Sequence, residues 1–319
     1  MKTYLSIDGG GTKTKYLLTD ENGIQLAETT TATTHYLQCG LSGLTDNLQA
    51  GLMTICRQAN IEDVTAIFFA AAGYGDIPED EEKIREAAGK AFENIPFGIG
   101  NDCENALIGS LAGDPGINIV AGTGSIGLGY DDNGQMFRSG GWHHIFGGDE
   151  GSAYWLACQL IKEFTKQSDG RHPRTYLYQY LKDKYHFKHD SDILVMTIEE
   201  WNFDREKVAA LALDVYECAL AGDECCLNIY KEAAKELTEI ILAIKDCLSF
   251  NLPIKLSYSG GVFKAGKLIL DPLRYELKAD EFELIEPLLT PHAGGIILAL
   301  RLDKREITPE ILANLTKIN

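Results

Sequence analysis

Apolar residues along the chain change their period several times, and each change marks an element. Tyr4-Leu5-Ser6-Ile7 and residues 15–20 have strand composition and flank Asp8-Gly9-Gly10-Gly11-Thr12-Lys13-Thr14; an Asn22-Gly23 turn then leads into Ile24-Gln25-Leu26-Ala27. This predicts three strands in a hairpin meander. A polar, threonine-rich loop ends at Thr34, His35 and Tyr36, after which Leu44, Leu48, Leu52 and Ile55 recur at helical spacing and predict an amphipathic helix to about Ala59. Residues 65–72 read as a buried strand stopped by Gly73, residues 79–92 as a charged helix, and residues 95–99 as another short strand. Around Asn101-Asp102-Cys103-Glu104 a strand gives way to a helix.

At Asp114-Pro115-Gly116 the pattern restarts. Residues 117–121 read as a strand, Gly122-Thr123-Gly124-Ser125 as a turn, residues 126–130 as a strand, and Asp131-Asp132-Asn133-Gly134 as a second turn. This repeats the opening meander, and the repeat is more specific than either turn alone. A glycine-rich loop, from Gly140-Gly141-Trp142-His143-His144 to Gly148-Asp149-Glu150, runs into a helix predicted to begin near Glu150. Residues 154–250 read as almost continuous helix, most periodic over 207–221 and 227–250. A strand at 254–259 precedes Gly260-Gly261, and Pro291 opens a last apolar helix to about Leu302. The expected organisation is α/β with two lobes, 1–113 and 114–319. Each lobe is a mixed sheet flanked by helices, with a cleft between them. The second carries a helical insert at about 154–250, and the C-terminal helix is a candidate to join the first lobe.

At 319 residues, the chain is longer than one core usually supports. Its formal net charge of −18 argues against nucleic acid and against anionic membranes as partners. No apolar run approaches the roughly 18 residues of a membrane span, and Met1-Lys2-Thr3-Tyr4 enters the first strand without a signal peptide. The eight cysteines form no Cys-x-x-Cys pair, so free thiols in a reducing cytoplasm are expected.

The glycine turns offer candidate chemistry. Three successive glycines bend the backbone tightly and bring N–H groups up to an anion, with hydroxyls from Thr12 and Thr14 alongside. Asp8 stands where a carboxylate could hold hydrated Mg²⁺. The stretch is neither a Walker A loop nor a dinucleotide fingerprint, because a strand follows it rather than a helix. Asp102 has two readings: a carboxylate at the carboxyl end of a strand, where ligands gather, or a helix cap, which Asn101 could equally supply. Asp149 and Glu150 either favour a helix N-terminus or accept sugar hydroxyl protons beside Trp142. Gly260 and Gly261 suit a flat adenine-ribose slot.

Taken in order, these pieces resemble the sugar-kinase/Hsp70/actin superfamily, with ribonuclease H-like (actin-like ATPase) lobes. Within it they resemble the N-acetylglucosamine kinase group of the BadF/BadG/BcrA/BcrD ATPase family. The resemblance spans essentially the whole chain. It rests on Asp8 to Thr14, Ala121 to Ser125, Gly140-Gly141-Trp142, Gly148 to Trp155, Ser259 to Phe263, and the helix at Ala293-Gly294-Gly295. It implies transfer of the γ-phosphoryl group of ATP to the 6-hydroxyl of an amino sugar, with Mg²⁺ as cofactor; a homodimer is the expected assembly, the long helical insert offering surface for it. By position, Asp102 is the implied general base. Gly10, Gly11, Thr12, Lys13, Thr14, Gly122, Thr123, Gly124, Ala209, Gly260 and Gly261 fall on the ATP side. Thr34, His35, Asp102, Gly141, Trp142, His143 and Asp149 fall on the sugar side. Two departures bear on the sugar. Thr34 stands where the group usually has Asn, and His143-His144 follows Trp142 where it usually has Gly. An imidazole there could meet an acidic substituent such as the lactyl group of N-acetylmuramate, or could pack under the loop. A dehydratase-activating ATPase and a sugar sensor are the competing functions.

Overall fold

The computed structural model describes residues 1–318. In chain order the elements are β1 (Thr3–Gly9), β2 (Lys13–Asp20), β3 (Gln25–Ala32), α1 (Tyr36–Ala59), β4 (Ala66–Ala71), α2 (Pro78–Phe92), β5 (Phe97–Asn101) and α3 (Asp102–Ser110). Then follow β6 (Gly116–Ala121), β7 (Ser125–Tyr130), β8 (Met136–Gly140), α4 (Ala153–Ser168), α5 (Tyr176–Lys184), α6 (Asp192–Leu194), α7 (Arg205–Ala210), α8 (Ala212–Leu220) and α9 (Glu224–Cys247). The chain closes with β9 (Ile254–Ser259), α10 (Lys267–Glu276), β10 (Phe282–Leu284), α11 (Pro291–Leu302) and α12 (Pro309–Leu315). No described helix is long and apolar enough to cross a membrane.

The chain divides into two compact units, Met1–Asp114 with Glu286–Asn319, and Pro115–Ile285. The expected second lobe, 114–319, is therefore corrected at its end. The segment from Glu286 returns to the first unit, where α11 packs on α3, β1 and β4. That crossing depends on missing side chains: a Cβ on Gly294 would lie 2.3 Å from the carbonyl oxygen of Asn105, and one on Gly109 2.5 Å from that of Thr290. In this unit the sheet order is β3-β2-β1-β4-β5, with β1 antiparallel to β2 and parallel to β4. One face is covered by α1 and α2, whose Leu44, Leu48, Ile55, Ile84 and Phe92 are buried with Leu5, Ile7 and Phe69. The other face is covered by Ile296, Ile297 and Leu300 of α11 and Ile311 and Leu315 of α12.

The second unit repeats the plan, with sheet order β10-β9-β6-β7-β8, β6 antiparallel to β7 and parallel to β9. The two meanders seen in sequence are therefore corresponding parts of two sheets of one topology. The helical insert is less continuous than its composition suggests. It starts at Ala153, capped by Ser152 rather than opening at Glu150, and Val195–Glu200 widens into π-type turns before α7. Strands β8 and β10 and helices α10 and α12 have no counterpart in the periodicity reading.

Candidate active site

In the first unit, the carboxyl ends of three parallel strands are level. Asp8, Ala70 and Gly100 are paired across β1, β4 and β5, as are Gly9, Ala71 and Asn101. Ligands of open α/β sheets collect at such an edge. Asn101 caps α3: its Oδ1 accepts from Cys103 N at 3.0 Å, and the Glu104 carboxylate accepts from Asn101 N at 3.1 Å. Capping thus belongs to Asn101, and Asp102, the first residue of α3, keeps a half-buried carboxylate. Burial raises its pKa above the ordinary carboxylate value, with hydrogen bonds from Cys103 opposing and the charge of Asp76 adding. Asp8 lies close by. Burial pushes its pKa up to about 6, against a hydrogen bond from Asn105 Nδ2 at 3.2 Å and with a further rise from the charge of Asp102.

The turn after β1 is closed by Gly10 N donating to Lys13 O at 3.0 Å. Gly11, Thr12 and Lys13 are exposed, and the N–H groups of Gly11 and Thr12 have no partner among the described residues. Thr14 is different. Its hydroxyl is buried against Thr34, with Oγ1 atoms 3.0 Å apart and Thr34 N donating to Thr14 Oγ1 at 3.0 Å. A Cβ on Gly9 would lie 2.6 Å from Thr34 Oγ1, so the hydroxyl fills the space a side chain would take. Thr33 Oγ1 donates to Gly10 O at 2.8 Å and accepts from His35 N at 3.0 Å. The loop expected to meet a sugar and the turn expected to meet phosphate are thus fastened together. His35 caps α1 through Nδ1, which accepts from Leu37 N at 3.3 Å, and its ring lies beside Gly73.

In the second unit, Gly122 N donates to Gly124 O at 2.8 Å, while Ala153 N and Tyr154 N of α4 donate to the carbonyls of Gly122 and Thr123 at 2.8 and 3.2 Å. The N–H groups of Thr123 and Gly124 have no partner among the described residues. Gly260, with φ +102°, follows β9 so closely beside β6 that a Cβ would be 2.3 Å from Ala121 O. Gly261 and Gly122 border open space. Asp149 is buried; its Oδ1 accepts from Ser125 N at 3.2 Å and its Oδ2 pairs with Arg205. Gly141 packs beside Ile126, Trp142 and His143 are exposed, and His143 Nδ1 accepts from Ile145 N at 3.3 Å. The His144 ring packs at 4.7 Å on Tyr154, and burial lowers its pKa. Ala209 is buried in α7, one turn beyond Arg205. Sequence reasoning missed Asn105, Thr33 and Arg205, and left the cap of α3 open between Asn101 and Asp102. Only the Asn-x-x-Glu box at 101–104 left a sequence signal.

The model of the BadF/BadG/BcrA/BcrD ATPase family matches residues 5–297. The chain belongs to that family. It is 28% identical to N-acetyl-D-glucosamine kinase of Dictyostelium discoideum over 94% of this chain and 98% of that one. It is 31% identical to N-acetylmuramic acid/N-acetylglucosamine kinase of Clostridium acetobutylicum, again over 94% and 98%. In fold it matches a proposed N-acetylglucosamine kinase from Chromobacterium violaceum, with TM-score 0.70 at 23% identity over 94% and 99% of the two chains. It also matches a ROK family glucokinase from Streptomyces griseus solved with glucose and AMPPNP, with TM-score 0.53 at 18% identity over 95% and 99%. The two duplicated sheets are the actin-like sugar kinase fold.

Proposed function

We propose that the protein is an ATP-dependent kinase that transfers the γ-phosphoryl group to the 6-hydroxyl of an amino sugar: N-acetylglucosamine, N-acetylmuramate or glucosamine. The observation that carries the reading is the Asp102 carboxylate, released from capping by Asn101 and standing at the level ends of three parallel strands. As general base it accepts the hydroxyl proton while the oxygen attacks phosphorus, a contribution of about 10²–10⁴-fold. A base whose pKa burial raises takes that proton more readily. The turns at Gly10–Thr12 and Gly122–Gly124, with their unpartnered N–H groups, are the proposed phosphate-binding elements. Gly260, Gly261 and Ala209 are proposed for the nucleoside, and His35, Gly141, Trp142 and His143 for the sugar, with Asp149, whose carboxylate is taken up by Ser125 N and Arg205, anchoring the loop that carries Trp142 and His143. Thr14 and Thr34, buried on each other, act by holding the two loops together.

The described residues contain no cluster of three or more His, Cys, Asp or Glu able to cage a metal. A site with one or two carboxylates suits Mg²⁺, which keeps several waters and takes its remaining ligands from phosphate. Asp8, destabilised by burial as an anion, is the residue that would hold it, through water. When bound, Mg²⁺ offsets the negative charge of the phosphates. The reading includes a cytoplasmic homodimer, for which light scattering is the check. The deciding experiment is ADP release with and without each amino sugar: release only with sugar is expected, and equal release without it favours the activator reading.

A further inference from the structure

We propose that Arg205 is a nucleotide-phosphate-binding residue, held by Asp149 beside the glycine turn at 122–124. The inference rests on the kinase reading above for its ligand, ATP. Three observations meet at this place. First, the turn itself presents the unpartnered N–H groups of Thr123 and Gly124 but carries no positive charge, since its residues are glycine, threonine and serine. A polyphosphate bound there meets dipoles alone unless a cation stands alongside.

Second, a guanidinium stands there. A Cβ on Gly124 would lie 2.4 Å from Arg205 Nη2 and 2.4 Å from Asp149 Oδ1, so the pair fills the side-chain space of the turn's own glycine. Third, the guanidinium is fixed yet incompletely used. Asp149, only 6% exposed, engages Nη2 through Oδ2 while its Oδ1 accepts from Ser125 N at 3.2 Å. Arg205 Nε is buried without a partner, and the side chain as a whole is 40% exposed. A buried donor left without an acceptor is costly, whereas a planar fork with donors to spare is the group best matched to phosphate oxygens.

Asp149 is by this account a positioning residue, joining the backbone of the turn to the guanidinium with one carboxylate. It occupies a left-handed conformation, φ 62°, uncommon for a residue other than glycine, which turns its side chain toward Ser125 N. The same carboxylate continues from the loop that bears Trp142 and His143, so that loop and the phosphate turn share one anchor.

The test is calorimetric titration of the full-length protein, without sugar, using ATP, ADP and AMP. Arg205→Met is expected to weaken ATP binding about 10- to 100-fold and leave AMP binding unchanged, so that the preference for ATP over AMP shrinks. Arg205→Lys, which keeps the charge and loses the fork, is expected to fall between and covers the case in which the methionine variant does not fold. Asp149→Asn is expected to shift ATP binding in the same direction, with thermal unfolding followed in parallel. A ratio of ATP to AMP affinity equal to wild type in both Arg205 variants would overturn the proposal. Because no sugar is present, a wild-type protein that binds ATP but phosphorylates no amino sugar removes the sugar assignment and leaves this one standing.

Discussion

Replacing Asp8 by Asn should make the protein more stable at neutral pH. In the folded protein, burial pushes the Asp8 carboxyl from an ordinary 3.8 up to about 6. At about 1.36 kcal/mol per pKa unit, that is a ceiling of about 3 kcal/mol against the charged form. The folded state binds this proton more tightly than the unfolded chain. Stability is therefore lost as pH rises from about 4 to about 6 and is not regained above it. Asn removes the charge and keeps a carbonyl oxygen able to accept from Asn105 Nδ2, the contact now 3.2 Å long. Urea unfolding of both proteins in metal-free buffer is the assay. At pH 7.5 the variant should be more stable by up to about 3 kcal/mol, and at pH 4 the gap should shrink to a fraction of that. No gap at pH 7.5, or the same gap at both pH values, would refute the claim that Asp8 is held as a strained anion. Stability that rises when the charge is removed is the usual mark of a residue kept for function.

Two further outcomes test how the site is supported. Thr14→Val deletes the hydroxyl that accepts from Thr34 N and leaves a buried donor unpaired, so a loss of about 1–3 kcal/mol is expected in the same unfolding assay; a neutral effect would show that the two loops are not fastened there. Truncation after Ile285 removes α11 and α12 and uncovers Tyr4, Leu17, Phe68 and Ala70, so the shortened chain should be insoluble or bind a hydrophobic dye. A soluble, cooperatively folding product would contradict the division into units.

Much of the frame was legible because the duplicated meander carries its own check. Both glycine-threonine turns sit between a buried strand and an antiparallel partner, and both sheets have the same order. What escaped did so for physical reasons. Strand β8 exposes Met136 and Phe137 and lacks alternation, β10 is three residues long, and α10 carries Pro272 in its interior, which reads as a breaker. Chain order does not fix which sheet a returning segment will cover, so the C-terminal helix was only a candidate for the first lobe, which α11 and α12 both cover; Gly294 and Gly295 were the clue, marking a close approach without naming its partner. Asp102 was legible as a carboxylate at the end of a strand, but that the cap belongs to Asn101 needed the observed Asn101–Glu104 exchange. Thr14 and Thr34 were expected to face ligand and face each other instead. Arg205 left no signal, because an arginine opening a short helix is ordinary until Asp149 is seen against it.

The account turns on Asp102 as a base for a sugar hydroxyl. Its most direct test is the rate of amino-sugar phosphorylation by wild type and Asp102→Asn, with the product's phosphorylated carbon read by NMR. The account predicts a 6-phosphate, formed only with sugar present, and a fall in kcat of about 10²–10⁴-fold in the variant with ATP affinity retained. A variant as fast as wild type, or ADP released equally with no sugar, would contradict it.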